Sequence, residues 1–193
     1  MRKPTALITS LLTFVSPLAL AHPGHVGHMD MLSGLAHPLS GLDHMSVMVA
    51  VGVFAAMFGG RARWQMPAAF VSFMLLGAMA GVMGMHMPGM EMAIIASVIG
   101  MGVMLMSGSR LSRHWAMSMI MLFAAFHGLA HGQEMPANAQ VLQYFLGFTL
   151  STIGLHACGM ALGHGLLRVK VTKKAQSVLG IMMALLGSVL LFS

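Results

Sequence analysis

The sequence predicts an all-α membrane protein: a bundle of six transmembrane helices after removal of a signal peptide, with the mature N-terminus outside the cytoplasm. Three observations predict it. Hydrophobic residues make up 58% of the 193 and charged residues only 7%, whereas a soluble domain gives about a quarter of its residues to charge. Apolar stretches of about 20 residues, the length a bilayer core demands, recur along the chain. The basic residues that follow the first few positions are confined to alternate loops. A mean hydropathy of +0.85 excludes a disordered chain, and the single cysteine, Cys158, excludes a disulfide scaffold. The net charge of +6 would point to nucleic acid only if the basic residues formed one patch, and they do not.

The first element is an address label. Arg2 and Lys3 form a positive n-region, an apolar run follows from Thr5 to Leu18, and Ala19-Leu20-Ala21 is an A-x-A cleavage site. Residues 1–21 therefore read as a signal peptide whose removal leaves His22 at the N-terminus. Residues 22–36 read as a His-rich periplasmic tail. His22, His25 and His28 in that tail are candidates for collecting metal, weakly, because Pro23 offers no amide proton for a square-planar amino-terminal site.

Residues 37–193 form the transmembrane domain, with spans at about 37–60, 65–86, 91–109, 114–133, 141–167 and 176–192. Arg61 and Arg63 fall between the first two spans, and Arg110 and Arg113 between the third and fourth. Arg168, Lys170, Lys173 and Lys174 fall between the fifth and sixth. The positive-inside rule makes that side cytoplasmic, which places the chain in a bacterial inner membrane. The four acids, Asp30, Asp43, Glu91 and Glu134, fall on or near the other side. Basicity here records how the chain inserts, not an anionic partner. Gly77-x3-Gly81, Gly128-x3-Gly132 and Gly159-x3-Gly163 predict close helix–helix approach, because small residues at this spacing let backbones meet in lipid.

Ionisable groups inside a span cost about 2.5–3.5 kcal/mol each at the bilayer centre and mark function by default. The entry to the first span reads His37-Pro38-Leu39-Ser40-Gly41-Leu42-Asp43-His44. His37 and His44 are two turns apart. Asp43 would point away from them on a regular helix, but Pro38 and Gly41 break regularity and allow an unwound start to aim all three inward. The fourth span ends Phe126-His127-Gly128-Leu129-Ala130-His131-Gly132-Gln133-Glu134. His127, His131 and Glu134, spaced i, i+4 and i+7, share a narrow arc. Imidazoles and carboxylates on one face suit a borderline divalent cation. His37, Asp43, His44, His127, His131 and Glu134 are the expected metal-binding residues, at the outer mouth.

His156 lies 12 residues before Arg168, about 18 Å from the inner end and near the midplane. Met160 and His164 follow at i+4 and i+8, so the three mark a candidate pathway inward. The 24 methionines outnumber the formally charged side chains; most are adaptable filler. The Met85–Met92 loop alone suggests a soft Cu(I) site. Cys158 is assigned to packing.

At its two motifs the chain resembles the HupE/UreJ family, small membrane proteins associated with hydrogenase and urease gene clusters and regarded as nickel permeases. The family pattern H-x5-D-H matches His37, Asp43 and His44, and F-H-G-x-A-H-G-x-E matches Phe126 through Glu134. Leu155-His156-x2-Gly159 resembles another recurrent feature. The resemblance covers essentially the whole chain. It implies a membrane transporter rather than an enzyme, with nickel as the transported substrate and no prosthetic group; the residues alone specify only a divalent borderline cation. No G-x4-G-K-[ST] loop is present, so transport would draw on the membrane potential. Uptake is expected to fall below about pH 6.5, where ordinary imidazoles take up protons. The alternatives are import of Co or Cu, an intramembrane zinc-dependent hydrolase with Glu134 as base, a metal sensor, and a b-type haem protein.

Overall fold

In lipid every backbone N–H and C=O must be paired internally, so a chain this apolar closes its hydrogen bonds within helices. The computed structural model describes residues 26–136, 138–168 and 172–192. The regular structure among them is helical: α1 (Val26–Ser40), α2 (Leu42–Phe58), α3 (Ala62–Val82), α4 (Met90–Ser107), α5 (Arg113–Glu134), α6 (Val141–Arg168) and α7 (Thr172–Leu190), with a short 3-10 turn at Gly108–Arg110. The expected signal peptide, and His22 and His25 of the expected tail, lie outside the described residues.

Among the described residues five helices are long and apolar enough to cross a membrane: α3, α4, α5, α6 and Lys173–Leu190 of α7. Asp30–Ser40 and Leu42–Phe58 pass the same test only as a pair, and they are bent from each other by 83°. This replaces the continuous first helix expected over about 37–60. Helix begins instead at Val26, so it takes in most of the expected tail, including His28, and it breaks at Gly41. The cause is local. Pro38 has no N–H for the last turn of α1, and Gly41 is extended at φ −106°, ψ 124°. The Gly41 carbonyl then accepts from Met45 N at 3.0 Å and opens α2.

Helix pairing follows the small residues. α3 packs on α5, α1 and α2 pack on α6, and α4 packs on α7. A Cβ on Gly128 would run into the Met74 carbonyl, one on Gly77 into the Ala125 carbonyl, and one on Gly159 into the Val49 carbonyl. Gly34 and Gly147 play the same part between α1 and α6, and Gly102 and Gly180 between α4 and α7. The expected G-x3-G stripes are thus contact seams, and two of them, on α3 and α5, face each other. Fully buried Met48, Met66, Met74 and Met101 interleave with Phe54, Phe70 and Phe148 to fill the core, in keeping with methionine as adaptable filler.

The two ends of the bundle differ in charge. Arg61, Arg63, Arg110, Arg113, Arg168, Lys173 and Lys174 sit at one end, where the Arg113 guanidinium donates to Gln65 Oε1 and ties α5 to α3. Asp43 opens α2, Glu91 opens α4 and Glu134 closes α5 at the other.

Candidate metal centre

Helices α2 and α5 bring His44, His127 and His131 together so that one ring nitrogen from each lies within 4.8 Å of the others. The His44 ring centroid is 4.6 Å from that of His127 and 4.2 Å from that of His131. Each ring's free nitrogen follows from hydrogen-bond bookkeeping. Asp43 Oδ1 accepts from His44 Nδ1 at 2.8 Å and from the His44 backbone N–H at 2.8 Å. A carboxylate only accepts, so His44 carries its proton on Nδ1 and Nε2 keeps a lone pair. Ser97 Oγ, on α4, donates to the Ile94 carbonyl at 2.6 Å and lies 2.7 Å from His127 Nε2. With its one proton committed, the hydroxyl must accept from Nε2–H, which leaves the lone pair on His127 Nδ1. His44 Nε2, His127 Nδ1 and both nitrogens of His131 are buried without any hydrogen-bond partner. Leaving such a group unpaired costs about 1–3 kcal/mol, and three of these rings face one another. A cation that prefers imidazole would take up one lone pair from each of the three rings.

A second group overlaps the first. His37 of α1, His131 and Glu134 also present ligand atoms within 4.8 Å of one another. The His37 Nε2–H donates to Glu134 Oε2 at 3.2 Å, and His131 Nδ1 is 3.8 Å from the same oxygen. Glu134 is exposed, with His37 half-buried beside it, whereas His127 and His131 are buried. His131 therefore belongs to both an outer and an inner group. A cavity of about 420 Å³ opens beside them, lined by Asp43, His44, Glu91 and Glu134 among others. Three of the chain's four acids thus face one cavity. The fourth, Asp30, accepts from the Gln140 backbone N–H at 3.0 Å and fastens α1 to the start of α6.

The family model described as "HupE / UreJ protein" matches residues 10–190. The chain belongs to the HupE/UreJ family. It is 38% identical over 189 residues to Protein HupE of Rhizobium leguminosarum bv. viciae, an alignment that covers 95% of this chain and 96% of that one. No solved structure matches it.

In this HupE/UreJ chain five of the six expected metal-binding residues, His37, His44, His127, His131 and Glu134, contribute to the two overlapping groups. Asp43 stands apart from them: its carboxylate holds the His44 ring rather than joining the gathered atoms. His156 is buried in the midst of α6, while His164 donates from Nδ1 to the Met160 carbonyl at 2.7 Å. In the methionine-rich loop, the Met85 carbonyl accepts from Gln133 Nε2 at 2.8 Å and Met90 lines the cavity. Cys158, expected to pack, is exposed on the outer face of α6. Two neighbours escaped the sequence reading. Ser97 is a lone hydroxyl in an apolar helix and carries no spacing signal. Tyr144, whose ring centroid lies 5.9 Å from that of His37 and whose hydroxyl is buried without a partner, looks like any aromatic of a span.

Proposed function

We propose that the protein is a secondary transporter that carries nickel ions from the periplasmic side of a bacterial inner membrane into the cytoplasm, for use by hydrogenase, urease or both. Membership of the HupE/UreJ family supports this, and one observation carries it: His44, His127 and His131, each with a ring nitrogen lacking a hydrogen-bond partner, gather beside an acid-lined cavity. Glu91, Asp43 and Glu134 raise the local concentration of a hydrated cation. His37 and Glu134 replace the first waters, and His131, shared by both groups, passes the ion to His44 and His127. Borderline Ni²⁺ suits imidazole better than the hard Mg²⁺ or Ca²⁺ do. The tail histidines His22, His25 and His28 would collect metal ahead of this mouth.

The test is nutritional and direct. Alanine in place of His37, His127 or Glu134 is expected to abolish nickel-dependent hydrogenase or urease activity at low external nickel, with excess nickel restoring it. High-affinity uptake that survives in these variants at unchanged protein level would remove the site from transport. Competition of Co²⁺, Zn²⁺ and Cu²⁺ with Ni²⁺ in proteoliposome flux fixes which metal is carried.

A further inference from the structure

We propose that Phe70 is a gate separating the three-imidazole site from a second, inner ion station at His156. The inference rests on the transport reading above and extends it inward. His156 is 1% exposed, and neither of its ring nitrogens has a hydrogen-bond partner. Its ring packs edge-on against Phe70, centroids 5.1 Å apart at 90°. The fully buried Phe70 also touches His127 of the outer site, with centroids 6.3 Å apart. One aromatic ring therefore contacts an imidazole of the gathered site and the isolated imidazole beyond it. The direction is inward. Phe148 lies against His131, centroids 4.4 Å apart, and His156 follows Phe148 by two turns and more of α6, about 12 Å nearer the basic end.

A buried imidazole with two unpaired nitrogens demands a reason, and the chemistry around it supplies one. None of the chain's four acids is near: Asp30 holds the start of α6, and the other three line the outer cavity. A lone neutral imidazole without a carboxylate binds a divalent cation loosely, as a station from which ions must depart should. Toward the basic end, His164 follows on the same face of α6. Its Nδ1 proton is committed to the Met160 carbonyl, so its Nε2 offers the next lone pair. Phe70, Met74 and Met48, all fully buried, close the core between the levels, and neither Phe70 nor His156 lines the outer cavity. The acid-lined cavity lies at the acidic end, and Phe70 is buried outside its lining.

The test uses the full chain, purified for Ni²⁺ titration and reconstituted in liposomes with an imposed inside-negative potential and a trapped metal indicator. His156→Gln is expected to keep wild-type nickel affinity, which also reports an intact fold, and to lose flux. His156→Met, which restores a soft donor, is expected to recover part of that flux. Phe70→Ala is expected to keep nickel affinity and to admit Mg²⁺, which the parent protein is expected to exclude; Phe70→Leu is expected to regain part of the exclusion. Normal flux in His156→Gln, lost nickel affinity in both His156 variants, or exclusion of Mg²⁺ by Phe70→Ala overturns the gate and the inner station while parental transport stands. A parent protein that binds no nickel, or binds without moving it, overturns the transport reading itself, and the inner path with it.

Discussion

Two residues that need not touch an ion decide which nitrogen each imidazole offers. Asp43 accepts a hydrogen bond from His44 Nδ1–H, and Ser97 accepts one from His127 Nε2–H. Partners of this kind fix the tautomer of a ligating histidine, and their loss typically costs about 10–100-fold in metal affinity. Ser97→Ala is therefore expected to weaken nickel binding by about that factor while leaving helix content unchanged, measured by titration of purified protein. Wild-type affinity in Ser97→Ala would show that the hydroxyl does not set the His127 ring. Asp43→Asn keeps an acceptor for the His44 ring but removes the charge, so its affinity should fall between those of the parent and Asp43→Ala. A Cβ on Gly41 would stand 2.5 Å from Asp43 Oδ1 and 3.2 Å from His44 Nδ1. Gly41→Ala is thus expected to disturb the same pair. The histidines were legible in the sequence because spacing alone puts His127, His131 and Glu134 on one arc. Ser97 was not, since its role depends on α4 lying beside α5, a relation no local pattern encodes. Asp43 was legible as a member of the site but not as the group that orients its neighbour, because that depends on the conformation where α2 begins.

Helices here are held by backbone approach rather than by a water-driven hydrophobic force, so glycine position matters more than glycine number. At Gly128 a side chain would collide with the Met74 carbonyl, whereas at Gly154 a Cβ meets nothing within 4 Å. Gly128→Val is expected to separate α3 from α5 and destabilise the fold by at least about 1–3 kcal/mol, read as lost monodisperse protein or a lowered melting temperature in detergent. Gly154→Ala, on the outer face of α6, should be neutral or stabilising by up to about 1 kcal/mol. Equal tolerance of the two would mean that α3 and α5 do not pack through this seam. Hydropathy placed spans that overlap α3 to α7 to within about four residues at each end, and the G-x3-G spacing anticipated the seams of α3, α5 and α6. The same methods missed the first turns of α1, because a His-rich polar stretch has the composition of a tail. It is helical where it rests on α6 through Gly34 and Gly147. The break at Gly41 was announced by Pro38 and Gly41, but its 83° angle comes from the two halves packing separately along α6.

At the scale of the molecule, charge is sorted along the bundle: three of the four acids line the mouth, and the arginines and lysines among the described residues crowd the opposite end. This sorting was the most legible property of the sequence, since basic residues in alternate loops separate the two ends without any knowledge of packing. Its functional consequence concerns driving force. An inside-negative potential is worth about 2.3 kcal/mol per charge per 100 mV, hence about 4.6 kcal/mol for a divalent cation moving inward. That sustains accumulation on the order of a thousandfold, with no nucleotide hydrolysis. Imposing an inside-negative potential on liposomes that contain the protein should therefore drive nickel inward, and reversing its sign should stop that influx at equal nickel concentrations. A pH gradient imposed at zero potential separates the alternatives: no net accumulation fits charge-driven passage, whereas accumulation against a nickel gradient would mean that protons are exchanged for the metal. Because His37, His44, His127, His131 and Glu134 gather at the site, such an exchange is expected to involve these same groups. Alanine at His131, which belongs to both groups, should then abolish potential-driven and pH-driven uptake together.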